Sequence, residues 1–218
     1  MDERSNSNKR RNMNNIEKNK ERFNKAITYI NRDTSKLIHW LETETDYFTS
    51  PASVQQHGNF EGGLLEHSLS VLEFALNSFN WIIKKKPDYE YLKESIIICS
   101  LFHDVCKTNC YEKEEKWTKD SQGKWKSYTG LSYKNDFPFG HGEKSVLMIS
   151  KYFELTAPEM LAIRWHMGVF DVATTMANYT KMSYEQASTH PLVRIIHTAD
   201  VLAMTLEDSI DYKSKSSI

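Results

Sequence analysis

The sequence predicts an all-α protein, a helical bundle interrupted by one small β-hairpin near residues 112–136. Three observations carry this. Apolar residues recur at three- and four-residue spacing over most of the chain, the period of an amphipathic helix. The stretch Ser95–Cys106 is apolar nearly all round, as a fully buried helix is. Between Lys116 and Lys126 the pattern changes: tryptophans stand among polar residues about an Asp120-Ser121-Gln122-Gly123 turn, which reads as a hairpin.

The elements follow in order. Residues 1–14, rich in Asn, Ser, Lys and Arg, read as a disordered basic tail. Its Lys9-Arg10-Arg11 run is either a solvated stretch or a nucleic-acid contact. Ile16, Phe23, Ile27 and Ile30 share one face of a first helix. Asp33-Thr34-Ser35 offers the cap of a second, which carries Leu37, Ile38 and Leu41 and breaks at Pro51. After a loop with Gly58, Gly62 and Gly63, a long helix runs from about Leu64 to Lys85. Its apolar steps place His67 on an inward strip beside Val71 and Phe74. The buried helix at Ser95–Cys106 comes next, then the hairpin, read as a lid or a structural flap. Gly140 opens a helix through Tyr152, and Thr156-Ala157-Pro158-Glu159 opens a short one that ends at His166. Residues 169–183 read as loop. A last helix begins at Pro191, with Asp200 inside its apolar arc, and residues 211–218 read as a frayed tail. The expected organisation is one domain over residues 15–210.

Composition narrows the function classes. With 28 Lys plus Arg against 29 Asp plus Glu, the chain lacks the excess of cations that a general nucleic-acid binder uses. Three cysteines and a polar N-terminus point to a reduced, cytoplasmic protein. No apolar run of about 18 residues suggests a membrane span.

Six residues carry chemistry: His67, His103, Asp104, His141, His166 and Asp200. They stand in G-G-L-L-E-H (62–67), S-L-F-H-D-V-C-K (100–107), F-G-H-G-E-K-S (139–145), R-W-H-M-G (164–168) and H-T-A-D-V-L-A (197–203). A buried carboxylate beside a buried imidazole is costly unless paired or metal-bound. Four imidazoles and two carboxylates suit a pair of divalent transition-metal ions, Mn, Fe, Co, Ni or Zn.

This order, H…HD…H…H…D, resembles the two-metal branch of the HD-domain superfamily of metal-dependent phosphohydrolases. The resemblance covers about residues 50–206. The stretch H-x-x-F-x-G-G-L-L-E-H (57–67) is similar to a segment of exoribonuclease and relaxase-associated HD proteins. One departure is Cys106, where the family mostly has Gly. The resemblance implies an HD-type helical bundle in which Asp104 bridges two ions. His67, His103 and Asp200 would complete one, and His141 and His166 the other. It implies hydrolysis of a phosphomonoester or phosphodiester of a nucleotide or nucleic acid. Ions about 3.5–4 Å apart would clamp a bridging hydroxide and leave positions for phosphate oxygens. Lys107 is the first candidate for a cation on the phosphate, and His57 for a substrate contact or proton donor. Lys144 and Arg164 are further phosphate candidates, and Glu66 and Glu143 candidates to orient imidazoles. His197 reads as a packing or ligand-supporting histidine. His39 and His190 read as incidental, Trp81 and Trp165 as core, and Cys99 and Cys106 as packing residues. Two rival enzymes share the ligand order: a di-iron oxygenase and a 3′–5′ exonuclease on single-stranded nucleic acid. A regulatory module with metals but little turnover is a third rival.

Overall fold

The computed structural model describes the backbone of residues 3–54, 58–168 and 177–215, and the side chains of residues 15–54, 58–168 and 181–205. Among these the order is α1 (Glu3–Ile27), α2 (Ser35–Thr43), α3 (Gly63–Ile83), α4 (Lys93–Phe102), β1 (Tyr111–Lys119), β2 (Trp125–Tyr133), α5 (His141–Ile149), α6 (Ala157–Arg164), α7 (Ala177–Ala187) and α8 (Pro191–Lys215). A 3-10 segment, Pro87–Leu92, leads into α4, and a single 3-10 turn, Val105–Lys107, follows it.

The apolar α4 is the centre. Every residue from Ile96 to Phe102 is buried, and α3, α6 and α8 pack on it. Phe23 of α1 closes one side against Tyr47, Phe48 and Phe102, at ring-centroid distances of 5.9, 5.2 and 6.1 Å. Helix starts follow local chemistry. Asp33 Oδ1 accepts the Ser35 N–H at 2.9 Å ahead of α2. Thr156 and Glu159 form a reciprocal capping box at the start of α6, with Pro158 in its first turn.

β1 and β2 pair antiparallel from Tyr111↔Tyr133 to Lys119↔Trp125, and Gly123 takes φ +79° in the turn between them. No helix among the described residues is long and apolar enough to cross a membrane.

Helix α1 begins at Glu3 and α8 runs to Lys215. Two expectations are corrected. Part of the segment read as loop is α7, where Tyr184 sets its ring 5.7 Å from Trp165. Trp81, read as core, is 67% exposed, because it lies on the face of α3 opposite Phe79 and Ile83; Trp165 is buried as expected.

Candidate metal centre

Five segments deliver six side chains to one place. Gly62, at φ +84°, turns the chain into α3, and a Cβ on Gly63 would stand 2.0 Å from the Gly58 carbonyl oxygen. The double glycine therefore lets the loop cross tightly over the first turn of α3, and His67 sits one turn further in. His103 closes the last turn of α4, its N–H donating to the Cys99 carbonyl at 3.0 Å. The chain then leaves helical geometry at Asp104 (φ −104°, ψ 17°), at the head of the 3-10 turn. His141 opens α5, His166 follows α6, and Asp200 comes from α8. α5 meets α6 at a glycine: a Cβ on Gly142 would lie 2.3 Å from the Arg164 carbonyl oxygen. That close approach brings the His141 and His166 rings to a centroid distance of 5.4 Å.

His67 Nε2 lies 3.1 Å from Asp200 Oδ1, 3.3 Å from His103 Nε2 and 3.7 Å from Asp104 Oδ2. His103 Nε2 lies 3.4 Å from Asp104 Oδ2 and 3.9 Å from Asp200 Oδ1. The other oxygen of Asp104 faces different partners, His141 Nε2 at 2.6 Å and His166 Nε2 at 3.4 Å. Five of the six side chains are buried, and His141 is half-buried. Among the described residues three groupings bring potential ligand atoms within 4.8 Å of one another: His67, His103 and Asp200; His103, Asp104 and His166; Asp104, Cys106 and His141.

The hydrogen bonds at the rear of the rings say what the front must be. His103 Nδ1 stands 2.9 Å from the Ser100 carbonyl oxygen, and His166 Nδ1 2.7 Å from that of Ile163. A carbonyl only accepts, so both Nδ1 atoms carry the proton, and in the neutral ring Nε2 keeps a bare lone pair. His166 Nε2 is buried with no hydrogen-bond partner among the described residues. Lone pairs and carboxylate oxygens thus converge with few protons to share. That is the environment a divalent cation satisfies, and these buried His and Asp groups can hold one.

Charge follows from the same crowding. Burial pushes the Asp104 carboxyl up, but Lys107, His103 and His141 hold it well below the usual carboxylate range. Burial also opposes ionisation of Asp200, yet the bond to His67 and the charges of His103 and His166 bring it to about 2. Burial pushes His103 down. His141, despite burial, is raised to about 9 by Cys106 and Asp104, so a proton and a metal ion compete for its Nε2.

The centre opens into a cavity of about 410 Å³ whose wall includes His67, Asp104, Lys107, His141, Asp200 and Tyr111. Lys107 reaches Asp104 Oδ2 at 2.7 Å and so stands at both the ligands and the cavity. The other candidates fall elsewhere. Lys144 turns to Asn135 Oδ1 at 3.1 Å and Cys110 Sγ at 3.6 Å, on the wall of a separate cavity. Arg164 pairs with Glu143 and lies over the Trp165 ring at 4.1 Å. Glu66 accepts from Asn19 at 3.4 Å, so main-chain carbonyls rather than glutamates orient His103 and His166. His197 does support a ligand segment: its Nδ1 donates to the His166 carbonyl at 2.6 Å. Cys106 is buried as expected, yet its Sγ also touches His141, 3.2 Å from Nδ1. His57 lies outside the described residues. Tyr111 on the cavity wall was not foreseen, since a tyrosine opening a strand carries no signal of its own.

The chain is 29% identical over 126 residues to the dihydroneopterin 2′,3′-cyclic phosphate phosphodiesterase of Methanocaldococcus jannaschii. The match covers 56% of this chain and 50% of that protein, so the chain spans about half the length of the curated relative it matches. No protein-family model matches the chain. No solved structure matches it either.

Proposed function

We propose that this chain is a binuclear phosphohydrolase of the HD type, one helical domain over residues 15–210. Its substrate is a phosphomonoester or phosphodiester of a nucleotide or nucleic acid, and a diester is the better fit. The carrying observation is the split of Asp104, with Oδ2 toward His67, His103 and Lys107 and Oδ1 toward His141 and His166. A carboxylate with one oxygen in each of two donor sets would lend an acceptor to a cation in either set, which supports the two-ion reading. The named activity of the relative, on a cyclic phosphate diester, supports phosphodiester hydrolysis.

His67, His103, Asp104 and Asp200 would hold one ion, and Asp104, His141 and His166 the second. Divalent ions there supply Lewis acidity, offsetting phosphoryl charge and acidifying a water. The remaining work belongs to the chain. Lys107 presents a cation at the cavity wall, where a non-bridging phosphate oxygen would settle. Burial works against the Lys107 charge, but Asp104 beside it outweighs this and raises the ammonium above its ordinary value. The carbonyls of Ser100 and Ile163 hold two imidazoles in the tautomer that leaves Nε2 open. His57, ten residues ahead of His67, is the proton donor we assign to the leaving oxygen.

The test is metal content and activity on one sample, purified without chelator and assayed with Mn, Co, Ni or Fe against cyclic and linear phosphodiesters. The expected result is about two ions per chain and metal-dependent cleavage of the diester to a phosphomonoester that Asp104→Ala abolishes. One ion per chain would end the bridging role of Asp104. Two irons with no phosphoester cleaved would move the reading to oxygen chemistry.

A further inference from the structure

The metal cavity is not the larger hollow in this molecule. Beside it lies a groove of about 740 Å³ between the hairpin and residues 49–54 and 59–61. Val54 and Tyr111 belong to the walls of both, so the two spaces adjoin. The shared wall is firmly built. Tyr111 donates from its hydroxyl to the Ala52 carbonyl at 3.2 Å, tying the root of β1 to the loop ahead of α3. Only six residues separate Asp104 from Tyr111, so hairpin and metal-ligand candidates share one short, mostly buried segment.

The groove's chemistry differs from that of the cavity. None of the six ligand candidates lines it. Its walls carry the rings of Phe60, Tyr111 and Tyr128, with Lys113, Lys116 and Glu61 among them. Phe60 is 42% exposed and Tyr128 48%, large rings that the fold leaves uncovered. Lys116 Nζ is engaged across the hairpin with the Leu131 carbonyl at 2.5 Å, which braces the wall. A volume of several hundred cubic ångströms, rings on more than one side and a few polar groups describe a pocket for a flat, hydrogen-bonding molecule. A phosphate alone would leave it empty.

We infer that this groove is a second subsite, which takes a planar heterocycle of the nucleobase or pterin kind joined to the phosphoester held in the metal cavity. The inference rests on the hydrolase reading for the phosphate but not for the heterocycle, which binds without reacting. The hairpin is then a specificity wall, and Tyr128 its principal stacking residue.

The test separates binding from turnover. Guanosine and neopterin, neither with a phosphoester, are titrated calorimetrically into the full chain and into its Tyr128→Ala and Tyr128→Phe variants. KM and kcat are measured with guanosine 2′,3′-cyclic phosphate and with glycerol 1,2-cyclic phosphate, which has no ring to stack. Tyr128→Ala is expected to weaken heterocycle binding about tenfold or more, a single stacking contact. It should raise KM for the guanosine diester by a similar factor, with kcat within about twofold and the glycerol diester unaffected. Tyr128→Phe keeps the ring and should keep the binding, which a mere folding defect at this position would not show. Whichever of guanosine and neopterin binds more tightly identifies the ring system. The inference is overturned if neither binds the unaltered chain, if Tyr128→Ala leaves binding unchanged, or if both diesters suffer alike. Ring binding lost in Tyr128→Ala with no diester hydrolysed would keep the subsite and refute the hydrolase reading.

Discussion

Among the described residues two charged clusters, one half-buried and one buried, are built on opposite principles. At one, Arg32 donates to both carboxylate oxygens of Glu159, to Glu94 and to the Glu154 carbonyl. Glu159 also accepts from Ser95 at 2.7 Å and from the Thr156 N–H at 2.8 Å. Donors match acceptors, and the protein completes the cluster by itself. At the other, His103 and His166 spend their N–H groups on carbonyls behind them, and Nε2 atoms face carboxylates and one another. Lys107 offers one cation to that collection. Each cluster sets a buried carboxylate beside a cation and is rich in hydrogen bonds, so a buried acid and charge do not tell them apart. The balance of donors to acceptors does. A cluster with surplus acceptors is incomplete without a cation from outside, and that surplus is the physical mark of a ligand site.

The sharpest way to break the comparison is to remove the shared acceptor. Asp104→Ala should lower hydrolysis by about a thousandfold or more, as loss of a central metal ligand does in a two-metal site, and metal analysis of the same sample should show depleted ions. Removing Glu159 should do the reverse. Glu159→Gln removes the charge that Arg32, its side chain 32% exposed, pairs with and should cost about 1–2 kcal/mol of stability in denaturant unfolding, the buried-pair scale reduced by solvent screening. The folded fraction should keep its turnover.

The two clusters should also respond differently to acid and to chelator. Burial raises Glu159, but the bonds from Arg32, Thr156 and Ser95 bring it net below its ordinary value. A depressed carboxylate contributes stability that is present above its unfolded pKa and fades as pH falls through the folded one. The acid limb of a pH–stability curve should therefore flatten in Glu159→Gln. Chelator should leave that limb in place and lower the melting temperature. Metal at a hundred times its dissociation constant should restore about 2.7 kcal/mol. A smaller effect separates two lysines: Lys107→Ala should cost about ten- to a hundredfold in kcat/KM, as loss of a charged phosphate contact, and Lys144→Ala about twofold at most in steady-state assays, since its ammonium faces Asn135.

Much of the centre was legible because polar residues stood where helical periodicity demanded apolar ones. His67 on the inner strip of α3, Asp200 within the arc of α8, and His103-Asp104 closing a mostly apolar helix are each such a conflict, and the structure sets both imidazoles within 4 Å of both carboxylates. What sequence did not yield depends on direction rather than type. Lys144 follows His141 by one turn, yet a long flexible stem can leave a helix either way, and this one leaves toward Cys110. Glu66 and Glu143 adjoin ligands in sequence, but helical geometry had already placed a carbonyl three residues back behind His103 and His166. Trp81 shows that a large aromatic type does not fix its phase on a helix. The groove beside the hairpin was invisible because its two walls lie about fifty residues apart in the chain.

Gly142 carries a last consequence. Its hydrogen faces the Arg164 carbonyl, in a space with no room for a methyl group. An alanine there would act as a shim between two beams. It would part α5 from α6 and spread His141 from His166 while every donor atom stayed in the sequence. The calibre of the site is set by main chain against main chain, so it can be lost through a residue that touches no ion and bears no functional group.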